Sequence, residues 1–580
     1  MQATFTQTTI AREVNIFARM GLTAIRVFVV AFGGAALWLA RDGMNADGVA
    51  YLDASDEFLA GRWPWAGTGY WSPLYPTLLW IARLIGGTSP DRALAAAQAV
   101  NLVLFLLAFV AFEWLLRSVR TDPRRRSGGT EPNDIVWHIL AYALFAWMTV
   151  GWIRVWLLTP DMGVAAVVFA LAALALRLRS GRGRWGSAIA LGVLLGAGYL
   201  MKAALLPVGI VMVGMLAFSL RDRRFAISGV AAVLFLAISA PQIAYVSRLK
   251  GSPTFSDVGR LQYLWFVAGV PGMVTSALPL PARLPDPGAS DQTLPPLGAD
   301  DPHPAIYDID APIPGTLPIW YDAGHWFRGV AAPFSPVAIA RSLVRNVRVY
   351  LEVFALLLAG GLAAALAGGV SCQTVRAMRP DPLLVIPALA AMAIYGLVLV
   401  QTRYIAPFTP LLFLGLVPPW AVDQLSRRVR VGLATGAVVG LVLVPYQIRI
   451  DTAAWRGSAS ARTRVVSALE ARGIGPGSRL GFIGESYDAL WAYEANARFV
   501  TLVPKAEAGQ FWALDATGRE RVLEHMRTRG ATAVVAETPA LGVDLAGWER
   551  LPPAGPPVSD LVVYTGVPRP VAGSGSRPVP

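Results

Sequence analysis

Apolar stretches of about membrane-spanning length recur along most of this chain, and nothing else narrows its possible folds as much. In lipid a backbone must satisfy its own hydrogen bonds, so runs of roughly 20 apolar residues become helices. Only 15% of the 580 residues are charged and 55% are hydrophobic, whereas a soluble domain carries about a quarter charged residues. The expected class is a polytopic α-helical membrane protein. Its net charge of +13 is then a matter of where the charges sit rather than a sign of a nucleic-acid partner. The single Cys372 excludes a disulfide framework and a multi-cysteine metal site, and four scattered histidines leave little for a zinc centre.

Arginine clusters beside span ends mark the cytoplasmic side. A first span is predicted at 21–40, retained because no cleavage site follows it, and a short apolar helix lies near 73–85. The span at 94–116 ends in Arg117, Arg120, Arg124, Arg125 and Arg126. Spans near 135–153 and 162–176 lead to Arg177, Arg179, Arg182 and Arg184, and those near 186–200 and 203–219 lead to Arg221, Arg223 and Arg224. Further spans are expected near 225–246, 350–370, 383–402, 404–424 and 431–447. The total is about eleven, with the N-terminus inside and the C-terminus outside.

Residues 1–447 thus read as a transmembrane module, with outer loops at 41–72 and 247–348. The larger loop contains a Pro-rich stretch, Pro271 to Pro318, expected to be irregular and long enough to act as a lid. Residues 448–567 read as an extracytoplasmic α/β domain. Its strands are expected at Leu480 to Ile483, Phe499 to Val503 and Ala531 to Ala536, and its helices near Ala461 to Arg472 and Gly518 to Arg529. Residues 568–580 read as a disordered tail. The tail's glycines do not form a Gly-x-Gly-x-x-Gly loop between strand and helix, so no dinucleotide site is expected.

The first outer loop holds Asp42, Asp47, Asp53, Asp56 and Glu57. Asp47 is placed to open a helix, where a carboxylate is favoured by free N–H groups and the dipole. The loop runs Asp47-Gly-Val-Ala-Tyr51-Leu-Asp53, then Gly61-Arg-Trp63-Pro64, then Gly69-Tyr70-Trp71-Ser72-Pro73-Leu74-Tyr75-Pro76. Three later stretches accompany it: Thr159-Pro160-Asp161, Gly198-Tyr199-Leu200-Met201-Lys202, and Gln401-Thr402-Arg403-Tyr404-Ile-Ala-Pro407. Together these resemble, over roughly Gly21 to Tyr446, the GT-C integral membrane glycosyltransferases of the family 39 type, related to protein O-mannosyltransferases and the aminoarabinose transferases of lipid A. The resemblance implies a GT-C bundle and a catalytic role for Asp47. The chain departs from the pattern in having Gly48 where many members have Glu, and Ser72-Pro73 in place of Lys-Pro-Pro.

The charge map independently places Asp47, Asp161, Lys202 and Arg403 at the outer face, on four separate stretches. Single basic residues there often only snorkel to headgroups, but two with two acids on one face make a site. A polyprenyl-phosphate donor would present its sugar phosphate at that depth. Asp47 is the candidate general base, and Asp161 is the candidate helper or acceptor-orienting group. Lys202 and Arg403 are candidate donor phosphate ligands. Direct displacement by one base implies an inverting transfer.

Candidate substrate contacts are Tyr51, Asp53, Tyr70, Tyr75, Tyr404, Trp320, Tyr321 and Asp322. The simpler role for these aromatics is an interfacial belt. No Asp-x-Asp pair occurs in the first loop, which argues against a grouped-carboxylate metal site while leaving a divalent ion open. No metal ligands are assigned, and His303 and His325 are too isolated to propose. The expected location is the cytoplasmic membrane. Expected partners are membrane lipid, a lipid-linked sugar and an envelope acceptor, with no nucleic acid; the oligomeric state stays open. The rival class is a transporter or flippase of lipid-linked saccharides, and a third reading is a non-catalytic assembly protein.

Overall fold

A computed structural model describes residues 2–566 except 64–67, 123–134, 182, 271–303, 305, 310–314, 317–320, 328–329, 331–333, 367–378, 454–457, 486–488, 540–542 and 554–559. Seven described helices are long and apolar enough to cross a membrane: Met20–Leu39, Pro90–Thr121, Ile135–Trp152, Asp161–Arg179, Arg184–Met201, Arg224–Lys250 and Arg427–Tyr446. The chain is therefore a multi-pass helical membrane protein. Leu74–Gly86, Leu205–Ser219 and Pro382–Gly396 are apolar but shorter, and the expected count of eleven spans is not reached by these criteria.

In chain order the bundle contains α1 (Gln2–Leu39), α2 (Ala46–Leu59), α3 (Leu74–Gly86), α4 (Pro90–Thr121), α5 (Ile135–Ala146), α6 (Asp161–Arg179), α7 (Arg184–Met201), α8 (Leu205–Ser219), α9 (Arg224–Lys250), α10 (Val258–Phe266), α11 (Pro336–Leu366) and α12 (Pro382–Gly396). A π-helical turn, Trp147–Trp152, extends α5. Helix α6 is the hub: it packs against α4 and α7, and nearly all of its side chains are buried.

Two stretches differ from the hydropathy map. The span expected near 404–424 is broken into Thr402–Ile405, Ala406–Phe408, Thr409–Leu416 and Pro419–Asp423. Pro407, Pro410, Pro418 and Pro419 each remove a backbone donor there, which an average over apolar residues does not register. Helix α11 begins at Pro336, inside the expected loop, so Arg341, Arg345 and Arg348 are helical.

Beyond α13 (Arg427–Ala453) come α14 (Ser458–Glu470), β2 (Arg479–Gly484), α15 (Leu490–Glu494), β3 (Arg498–Pro504), α16 (Lys505–Ala513), α17 (Ala516–Thr528), β4 (Ala533–Glu537), β5 (Glu549–Arg550) and β6 (Leu561–Tyr564). With β1 (Tyr307–Asp308) they form a mixed sheet of order β1-β3-β2-β4-β6-β5 with a parallel centre. Strand β1 comes from the large loop and pairs antiparallel with β3. Alternation along the strands separates two cores. Leu480, Phe482, Phe499, Leu502, Ala533 and Val535 join the core that continues through the helical bundle. Ile483, Val500, Val503, Val534 and Ala536 face Phe511, Val522 and Met526 of α16 and α17 on the other side.

Candidate active site

Four chain segments bring their charges together at one end of the bundle. Helix α2 begins at Ala46 with Asp47 in its first turn, and α6 begins at Asp161. Lys202 follows the last residue of α7, and Arg403 sits in the first helical turn after α12. The Arg403 guanidinium donates to Asp47 Oδ2 at 2.9 Å and lies 3.8 Å from Asp161 Oδ2. Lys202 Nζ donates to Asp161 Oδ1 at 2.5 Å. The result is a neutral, largely buried chain of alternating charges, Asp47, Arg403, Asp161, Lys202. Asp161 is the deepest, with 2% of its side chain exposed, against 14% to 20% for the other three.

Neighbouring groups fix these side chains. Gln401 Oε1 accepts from Arg403 Nε at 2.9 Å. The Lys202 ammonium stands 3.9 Å from the centre of the Tyr404 ring and 5.9 Å from that of Tyr395, and the two rings stack at 5.2 Å. An ammonium over a ring face is attracted by its quadrupole. The connection from the π-helical turn to α6 is held by three amides. Leu158 N donates to Asn45 Oδ1 at 2.8 Å, Gln98 Nε2 to the Trp156 carbonyl at 3.1 Å, and Asn101 Nδ2 to the Leu157 carbonyl at 2.9 Å. Asn45 immediately precedes α2, so one amide ties the entrances of α2 and α6 together.

Gly48 now has a packing reason. A Cβ there would lie 2.6 Å from Met44 Cγ and 3.1 Å from Leu158 Cβ. A Glu at this position would push the first turn of α2 away from the α6 entrance.

Of the candidate contacts, Tyr404 lies within the charge cluster. Tyr51 is buried beside it, edge-on to Tyr75 at 4.9 Å and tilted against Trp71 at 4.7 Å. Tyr75 donates to Asn101 Oδ1 at 2.9 Å. Tyr70 packs on Trp71 at 4.6 Å and on Trp265 at 6.1 Å. These rings are core rather than an exposed belt. Asp53 accepts from Thr316 N at 2.9 Å, and Asp322 accepts from Lys250 at 3.2 Å. Tyr321 is buried in the same segment, while Trp320 lies outside the described residues. Asp53, Tyr321 and Asp322 thus seat part of the large loop on α2 and α9.

Sequence reasoning missed Asn45, Gln98, Asn101 and Tyr395. Amides facing a helical bundle were the available signal for the first three. Gln401 was visible in its motif without a role. Elsewhere on α2, burial pushes the Asp56 carboxyl up from its ordinary value, opposed by the Arg83 charge with which it pairs. Among the described residues no group of three or more His, Cys, Asp or Glu side chains could hold a metal ion.

No protein-family model and no curated protein matches the sequence. Solved structures do. ArnT from Cupriavidus metallidurans in the apo state is 13% identical, with a TM-score of 0.52 covering 93% of this chain and 97% of that one. The same protein bound to undecaprenyl phosphate gives a TM-score of 0.49 at 13% identity, with the same coverages. The apo Archaeoglobus fulgidus oligosaccharyltransferase gives 0.46 at 14% identity, covering 89% of this chain and 69% of that one. The class is thus a polytopic membrane protein of GT-C fold. Its particular likeness is to ArnT in the apo state, nearly end to end, and at this identity the likeness is one of fold.

Proposed function

We propose that the protein is an inverting glycosyltransferase, moving a sugar from a polyprenyl-phosphate donor to a hydroxyl acceptor at the extracytoplasmic face of the cytoplasmic membrane. The observation that carries this reading is the convergence of Asp47, Arg403, Asp161 and Lys202, from four segments, at one end of a GT-C bundle. The donor's lipid lies in the bilayer and its phosphate meets the two cations. Asp47 takes the proton of the acceptor hydroxyl as its oxygen bonds to the anomeric carbon. The anomeric carbon–oxygen bond breaks on the opposite side, and its electron pair leaves with the polyprenyl phosphate. Lys202 and Arg403 offset the charge gathering there, and Asp161, buried and bonded to Lys202, orients that ammonium in place of the acceptor-orienting role expected from sequence. Residues 1–447 form the membrane module in this reading, and 448–567 an accessory domain over it.

The test supplies purified protein with polyprenyl-phosphate sugars and compares wild type with Asp47→Asn. Loss of about 100-fold or more in transfer is expected for removal of a general base. Undiminished transfer removes Asp47 from the mechanism.

A further inference from the structure

The proposed base and the proposed phosphate ligands are bonded to one another. Arg403 is hydrogen-bonded to Asp47 at 2.9 Å, and Lys202 to Asp161 at 2.5 Å. A phosphate cannot take the full donor set of either cation while these bonds stand. We propose that the donor enters by exchange of partners: its phosphate takes Arg403 from Asp47 and shares Lys202 with Asp161, so that the base is uncovered only once the donor is seated. This rests on the donor reading above and adds an order to it, donor before acceptor activation.

Charge balance makes the exchange feasible. Two carboxylates and two cations sum to zero, and a sugar phosphodiester adds one negative charge. The first turns of α2 and α6 both lie within side-chain reach of Arg403. Each helix N-terminus also favours a nearby negative charge, which offsets part of the charge that arrives. Arg403 also keeps a fixed neighbour through the exchange, because Gln401 holds its Nε at 2.9 Å. Only the Nη2 end facing Asp47 then has to change partner. Lys202 stays over the Tyr404 ring and has donors to spare, since an ammonium carries three.

Carboxylate labelling tests this without a known acceptor. The full-length protein in detergent is treated with a water-soluble carbodiimide and glycine ethyl ester, and the peptide containing Asp47 is quantified by mass spectrometry. The additions are farnesyl phosphate, inorganic phosphate, or farnesol, with binding followed separately by tryptophan fluorescence. The exposed Asp222 serves as the reference carboxylate.

Bound farnesyl phosphate is expected to raise Asp47 labelling at least about fivefold relative to Asp222, the low end of a typical site-to-site coupling. Farnesol is expected to leave it unchanged. Arg403→Gln is expected to label strongly with or without the lipid, and Arg403→Lys to keep part of the increase. A rise with inorganic phosphate alone would also support the exchange and make the phosphate, rather than the prenyl chain, its trigger. Farnesyl phosphate that binds while Asp47 labelling stays level or falls overturns the exchange and leaves the donor reading standing. Failure of any phosphate to bind removes the donor reading and the exchange with it.

Discussion

Arg179 is the cleanest place to perturb the fold, because it ends the helix that Asp161 begins. Its guanidinium donates to Asp381 at 2.6 Å and 2.7 Å and pairs with Asp122. All three side chains are at most 5% exposed. At 2.6 Å and an effective dielectric of about 20, the Arg179–Asp381 attraction alone is about 6 kcal/mol before desolvation is charged against it. Removing the cation by Arg179→Met leaves two buried carboxylates facing each other, and the expected loss is about 3–5 kcal/mol. That is a large share of a folding free energy of roughly 5–15 kcal/mol. Adding Asp122→Asn and Asp381→Asn removes the stranded charges. It also keeps a side-chain oxygen at position 381 to cap α12, where Asp381 accepts from Leu383 N at 3.1 Å. The triple variant is expected to recover at least half of the loss. Unfolding in mixed micelles, followed by tryptophan fluorescence, reads both values. A single variant that loses less than about 1 kcal/mol, the worth of an exposed pair, would refute the buried-triad account. So would a triple variant no more stable than the single one.

Four further outcomes are expected. Gly48→Ala should already lower transfer activity, because a Cβ alone would meet both Met44 and Leu158, and Gly48→Glu should lower it at least as much; full activity in Gly48→Ala would remove the packing explanation. Tyr404→Leu should weaken farnesyl phosphate binding while Tyr404→Phe keeps it, because the ring face rather than the hydroxyl meets Lys202; equal loss in both would point to the hydroxyl. Asp308 binds His525 at 2.9 Å and Arg529 at 2.9 Å, so Asp308→Ala should speed limited proteolysis between residues 304 and 330; an unchanged cleavage rate would mean that β1 holds without this contact. Burial pushes Glu494 up from its ordinary 4.5, opposed by Arg462. Above pH 4.5 the native state keeps a proton that the unfolded chain has released, so stability falls as pH rises toward the raised value. Glu494→Gln should flatten that slope in pH-dependent melts, and an unaltered slope would assign it to other groups.

Hydropathy and arginine placement carried the fold class and the helices from Pro90 to Lys250, because lipid leaves the backbone few alternatives. The 404–424 region was misread because a window of apolar residues is blind to where its prolines fall. Helix α11 was begun too late because Arg341, Arg345 and Arg348 resemble a loop in composition, although three of them fit along one helix. The four charged site residues were legible as a set, since charges at span ends are costly. Their pairing was not. Asp47 and Arg403 are 356 residues apart, and which acid meets which base depends on helix packing that no local pattern encodes. Strand β1 was hidden for a similar reason: two residues in a Pro-rich loop acquire strand geometry only by joining β3.

The bundle also bears on whether such a site could move a saccharide across the membrane instead of modifying it. A carrier of polar cargo needs polar groups near the bilayer midplane and helices broken to expose them. The 402–423 stretch is broken and carries Arg403 at the charged site, whereas α6 runs unbroken from Asp161 there to Arg179 at the other end, and its buried residues between them are Met, Gly, Val, Ala, Phe and Leu. Its neighbours α4 and α7 offer Leu104, Phe105, Phe112, Leu191 and Leu195 to the same core. Aromatic rings of Phe112, Phe145 and Phe169 interlock across it, with centroids 4.9 Å to 6.3 Å apart. The far end is closed by the Arg179 ion cluster. Along α6 charge is thus kept at the two ends of an apolar stretch, with the Arg26–Glu113–Tyr142 cluster lying between α1, α4 and α5 instead, and a sugar entering that stretch would lose its hydration without replacement hydrogen bonds. Chemistry confined to one end, with only the lipid tail in the bilayer, is the function this distribution of charge favours.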